Sequence, residues 1–171
     1  MGQRPAPQSA AAPERKLPPA DAEVFLKVAC AKGTGGWAAL LRRPKVEGLE
    51  EGMVVQGPRA EGVTSNRLDI LAATQILEGF EQGETVAFYT GSEYLRKGAA
   101  QWLDGWRRKG WKTSTGKPVS NAEEWQSLDA AQRRLKVRWP ELPERKLPRS
   151  KDLEGAAKAS RMGESWEPKE D

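Results

Sequence analysis

Residues 23–31 (EVFLKVACA) carry the strongest constraint on the fold. Val24, Leu26, Val28 and Cys30 occupy one side of a strand, with Phe25, Lys27 and Ala29 on the other, so both faces ask for cover. Such a strand belongs inside a sheet with helices packed on its faces. Lys27 breaks the pattern by placing an ammonium group in mid-strand. It either reaches a polar cleft or snorkels out from a strand end.

The rest of the chain supplies that cover. KGTGG at 32–36 lacks the spacing of a phosphate-binding loop and predicts a hairpin turn into a second strand over 37–43. A third strand over 53–59 is weakened by Gly57 and Pro58. Apolar residues at 68, 71, 72, 76, 77 and 80 predict a helix, capped by Thr64 or Ser65. TVAFY at 85–89 is a fourth strand, and Ser92 caps the next helix. Asn121 with Glu124 resembles a capping box opening a helix that carries Trp125, Leu128 and Leu135. A short fifth strand over 137–139 and a helix over 150–160, with Asp152 in its first turn, complete the order. The expected class is α/β, a mixed five-stranded sheet flanked by helices. Residues 1–22, rich in Pro and Ala, are expected to be disordered, 23–161 to form the domain, and 162–171 to be a short acidic flexible tail. PERKLPP at 13–19 recurs as PERKLPR at 143–149, two copies being too few for a repeat architecture. Both copies are expected to be extended and proline-stiffened.

Charge is concentrated in residues 96–117, where Arg96, Lys97, Arg107, Arg108, Lys109, Lys112 and Lys117 face only Asp104, a local +6 in a chain of net +4. Trp102, Trp106 and Trp111 stand among these cations and Trp125 follows. Phosphates favour such cations through counterion release, and flat rings offer surfaces to sugars and bases. The spacing of Trp102 and Trp106 also fits one helix stripe facing a core. Crowding of like charges around Trp106 and Trp111 favours the nucleic-acid reading, because a purely structural helix gains little from it. The chain has no histidine and one cysteine, which removes histidine bases, histidine triads, multi-thiolate metal sites and an intramolecular disulfide. No apolar run approaches a membrane span, and a cytoplasmic setting is expected.

Four motifs carry a family resemblance: TSNRLDILAA at 64–73, YTGSEYLRKG at 89–98, QWLDGWRRKGWKT at 101–113 and KPVSNAEEW at 117–125. In order and spacing the chain resembles the bacterial type I ribonuclease H family over residues 24–139, and less closely to about 160. The resemblance implies a ribonuclease H-like fold in which the basic, Trp-bearing segment is a handle gripping an RNA/DNA hybrid on its DNA side. It implies that Trp102 and Trp106 meet DNA sugars and bases, that Thr64 and Asn121 hold a DNA phosphate, and that Ser65 and Asn66 lie in the minor groove. Arg107, Arg108, Lys109, Trp111 and Lys112 complete the expected nucleic-acid-binding set. Ser65 and Glu93 stand where the bacterial pattern usually has amides.

The family cleaves RNA with two magnesium ions held by four acids and aided by a histidine, and here the pattern fails. Lys27 stands at the first acid position, Asp69 at the second in place of the usual Glu, Gly91 at the third, and Asp152 matches the fourth to within a few residues. PELPERKLPRS replaces the histidine loop. Asp69 and Asp152 against Lys27 leave a site charge of −1, while two divalent ions about 4 Å apart repel by about 16 kcal/mol at an effective dielectric of about 20. The expectation is that Lys27 occupies the metal position and pairs with Asp69 and Asp152, the candidate metal ligands, to which an active enzyme would add a further acid such as Glu93. Asp69 alternatively reads as a surface helix acid, and Asp152 as an acid favoured by the helix dipole. No cofactor is expected, or Mg2+ if the chain is an active hybrid ribonuclease with a reduced metal site. The expected partner is an RNA/DNA hybrid or double-stranded RNA without a membrane, and a protein partner is the remaining alternative.

Overall fold

The computed structural model describes residues 17–169. The doubly apolar strand is β1 (Ala22–Ala31), and it lies at the centre of the sheet. A turn through Lys32 and Gly33, both at positive φ, returns it as the antiparallel β2 (Thr34–Arg42). The broken third segment yields two short strands, β3 (Met53–Gln56) and β4 (Ala60–Glu61), both paired with β2. The sheet therefore has six strands where five were expected, because Gly57 and Pro58 interrupt pairing without ending it. Helix α1 (Ser65–Glu78) leads to β5 (Thr85–Thr90), parallel to β1. Then come α2 (Glu93–Lys97), a wide π-helical turn (Gly98–Trp102), α3 (Leu103–Arg108), α4 (Ala122–Arg133), β6 (Lys136–Arg138) and α5 (Ser150–Arg161). Sheet order is β3-β2-β1-β5-β6, with β5 and β6 parallel.

Both faces of β1 are covered. Val24 and Leu26 join Trp37, Phe88, Leu68, Ile70, Trp125 and Leu128 in the larger core, under α1, α2 and α4. Phe25 faces the smaller core with Ala38, Leu40 and the α5 residues Leu153, Ala156 and Ala157. Gly36 lets the end of α5 approach β2, since a Cβ there would meet the Ser160 and Arg161 backbone. Ser160 uses that closeness, accepting from the Trp37 amide at 3.0 Å and donating to the Gly57 carbonyl at 2.7 Å.

Three boundary expectations need correction. Residues 18–22 are attached to the domain: Ala20 is buried, Arg138 donates to the Pro18 carbonyl at 2.7 Å, and Asp21 exchanges hydrogen bonds with Thr85. Residues 1–16, including most of the first PERKLP copy, lie outside the described residues. The second copy bends through a 3-10 turn (Pro143–Arg145), so it is not fully extended. The expected tail is docked through residue 166, because Gln56 donates to the Glu164 carbonyl at 3.1 Å and accepts from the Trp166 amide at 2.9 Å. The Trp166 ring packs against the smaller core. No helix among the described residues is long and apolar enough to cross a membrane.

Candidate nucleic-acid interface and polar cleft

β5 stops at Thr90, opposite Leu26, while β1 runs on through Lys27. That mismatch opens a cleft past the carboxyl end of a parallel strand pair, where α/β sheets commonly hold ligands. Lys27 from β1, Ser65 and Asp69 from the start of α1, and Thr90, Gly91 and Ser92 beside β5 line a cavity of about 340 Å3. Thr64 caps α1, accepting from the Arg67 amide at 3.2 Å, and Ser92 caps α2. Those caps fix the helix starts that present Ser65, Asp69 and Ser92.

Asp69 is 8% exposed. Burial pushes its carboxyl up to about 6, against a hydrogen bond from Ser92 and the nearby charge of Lys27. It is therefore a cleft acid, not a solvent-facing one. Lys27 reaches the same cleft but stays exposed and makes no ion pair or hydrogen bond among the described residues. Glu154 on α5 is held below the usual carboxylate range by Lys158 first, with a smaller pull from Lys27.

The expected triad of Lys27, Asp69 and Asp152 does not form. Asp152 accepts from Arg149 Nε at 3.0 Å and Nη2 at 2.9 Å. It lines a separate cavity of about 800 Å3 with Phe25, Arg42 and Tyr89. Register explains the separation: α5 buries Leu153, Ala156, Ala157 and Ser160 against the sheet, which turns Asp152 toward Arg149. Among the described residues no group of three or more His, Cys, Asp or Glu side chains is placed to hold a metal ion.

The tryptophans divide. Trp125 is fully buried and Trp102 is 37% exposed, with Trp106 and Trp111 half-buried between them. Ring centroids lie 5.7 Å apart for Trp102 and Trp106, 5.3 Å for Trp106 and Trp125, and 6.5 Å for Trp106 and Trp111. Trp106 thus serves the core stripe as well as the surface, and Trp102 is the ring most open to a ligand. Tyr94 joins cleft side to handle: its hydroxyl accepts from Trp125 Nε1 at 3.1 Å and Asn121 Nδ2 at 3.2 Å.

The capping box at Asn121 is not made. Asn121 sits at φ 58 without a side-chain cap, and Glu124 pairs with Arg67 at 2.8 Å, tying α4 to α1. Arg107, expected in the nucleic-acid-binding set, has its guanidinium engaged twice, by Asp129 at 2.8 Å and Asp104 at 2.9 Å. Its hydrogen bond to the buried Asp129 carboxylate raises its pKa further. Arg96 and Lys97 pair with Glu93. The open cations are Arg108, Lys109, Lys112 and Lys117, exposed and without ion pairs among the described residues. Thr64, Ser65 and Asn66 are exposed at the start of α1.

Tyr94, Asp129 and Glu154 lie outside the sequence-predicted site residues. Asp129 had a signal, since Trp125, Leu128 and Asp129 fall on one helical stripe and an acid on a buried stripe needs a cation.

The RNase H family model matches residues 20–143. The chain belongs to the ribonuclease H family. A protein named Ribonuclease H from Chelativorans sp. is 44% identical over 119 residues, 68% of this chain and 70% of that one. The Ribonuclease H of Brucella ovis is 43% identical over 119 residues, covering 68% of this chain and 73% of its own. Among solved structures, a type 1 RNase H with the type 2 active-site motif superposes with a TM-score of 0.66 at 20% identity, covering 88% of this chain and 76% of that one. A foamy viral protease-reverse transcriptase in complex with RNA/DNA hybrid superposes with a TM-score of 0.65 at 15% identity, over 88% of this chain and 21% of that chain. These likenesses establish a ribonuclease H-like fold for this family member.

Proposed function

We propose that this ribonuclease H family member binds RNA/DNA hybrid or double-stranded RNA and has lost two-metal cleavage. Trp102 with Arg108, Lys109, Lys112 and Lys117 forms the grip, aided by Thr64, Ser65, Asn66 and Asn121. The observation that carries the loss is that among the described residues no group of three or more His, Cys, Asp or Glu side chains is placed to hold a metal ion, and Asp69 shares its cleft with Lys27 and Gly91. One carboxylate beside an ammonium group does not offset two neighbouring divalent ions. The donor set therefore does not fit a magnesium pair, and no resident cofactor is proposed. The proposed setting is the cytoplasm, which suits a lone thiol at Cys30.

Highly purified protein with a labelled hybrid and Mg2+ should give salt-sensitive retention on filters and no cleavage. Trp102→Ala with Lys109→Ala should weaken retention by at least tenfold. A second reading, an active ribonuclease with a reduced metal site, is favoured by relatives named Ribonuclease H at 40–44% identity. Magnesium-dependent cleavage abolished by Asp69→Asn would establish it and overturn the first. Retention indifferent to salt would instead point to a protein partner.

A further inference from the structure

Lys27 is the only cation among the side chains lining the cleft. Lys27 is exposed and makes no ion pair among the described residues, whereas Arg96, Arg107 and Arg149 elsewhere are all engaged by acids. The two acids that feel its charge form no ion pair with it: Asp69 is buried in the cleft wall beside Ser92, and Glu154 is engaged by Lys158 at 3.1 Å. Ser65, an exposed residue, lines the same cleft, and Gly91 leaves open space where a side chain would stand. A compact cation, a neighbouring hydroxyl and free volume make a seat for a tetrahedral anion.

We propose that Lys27, with Ser65, binds one backbone phosphate of the duplex directly, so that this cleft is a metal-free phosphodiester clamp. The inference rests on the hybrid-binding reading and adds Lys27 as a second anchor beyond the handle's cations, sharing Ser65 with the polar residues at the start of α1. Because an ammonium group supplies the positive charge, binding needs no divalent ion.

Lys27→Gln removes the charge at an exposed, unpaired position and leaves the packed core untouched. Full-length protein and its Lys27→Gln and Lys27→Arg variants are titrated with a 20-base-pair hybrid in EDTA across 50–300 mM salt. Lys27→Gln should weaken binding about tenfold at the lowest salt and flatten the slope of log affinity against log salt by about 1, as expected for one lost phosphate contact. Lys27→Arg should keep the wild-type slope. Wild-type affinity and slope in Lys27→Gln overturn the clamp while leaving the hybrid-binding reading intact, as does binding that vanishes in EDTA. If the wild type binds no hybrid, that reading fails on its own, and inorganic phosphate becomes the probe. Millimolar phosphate should then shift the Lys27 Nζ-attached resonances in the wild type, and unshifted resonances overturn the clamp.

Discussion

At the scale of single residues, Asp69 and Lys27 carry the functional conclusion. Asp69 holds its proton more tightly folded than unfolded, from an ordinary 3.8 to about 6. The folded state therefore binds more protons between these values, and stability falls as pH rises through that window, by at most about 3 kcal/mol. Urea midpoints measured from pH 4 to 7.5 should show this decline in the wild type and a flatter profile in Asp69→Asn. Parallel profiles would mean that the carboxyl is not desolvated in the folded chain. Lys27→Asp with Gly91→Asp offers the complementary check, since position 91 has open space for a side chain and position 27 is exposed. Two added carboxylates beside Asp69 should create millimolar or tighter Mg2+ binding, read by calorimetry. Heat of binding no larger than in the wild type would show that the cleft does not converge on a single ion.

At the scale of elements, the handle is a helix bent to fit a ring. Gly98 opens the π-helical turn directly against Trp125, where a Cβ would collide with the indole. Gly98→Ala should cost about 1–3 kcal/mol through overpacking, seen as a lower urea midpoint, with the salt slope of hybrid binding unchanged. Arg107→Ala should lower the melting temperature by stranding the buried Asp129 carboxylate, again without flattening that slope, because its charge is already engaged. Much of this architecture was legible in advance. The apolar spacing in 68–80 and the capping hydroxyls of Thr64 and Ser92 located α1 and α2 because they are local signals. Asn121 failed because the same Asn-x-x-Glu pattern serves two uses. Asn tolerates positive φ, and Glu124 found Arg67, 57 residues away, a partner that local spacing does not reveal.

At the scale of the whole molecule, long-range closure decided what the sequence left open. Asp152 was placed correctly in the first turn of α5, yet its direction depends on how Leu153 and Ala156 seat against β1 and β2. The acidic end looks unstructured in sequence because Trp166 stands alone among polar residues, and its docking depends on partners distant in sequence, the Gln56 side chain and the smaller core. Trp166→Ala should lower stability by about 1–2 kcal/mol in denaturant titrations while leaving hybrid affinity unchanged. An unchanged midpoint would show that the ring contributes little to holding the end of the chain. The touching indoles have one more consequence, because excitation absorbed by any of Trp102, Trp106, Trp111 and Trp125 migrates among neighbours within about 7 Å. A base stacked on the outermost ring would drain light from the whole set, so the protein carries its own optical gauge of occupancy.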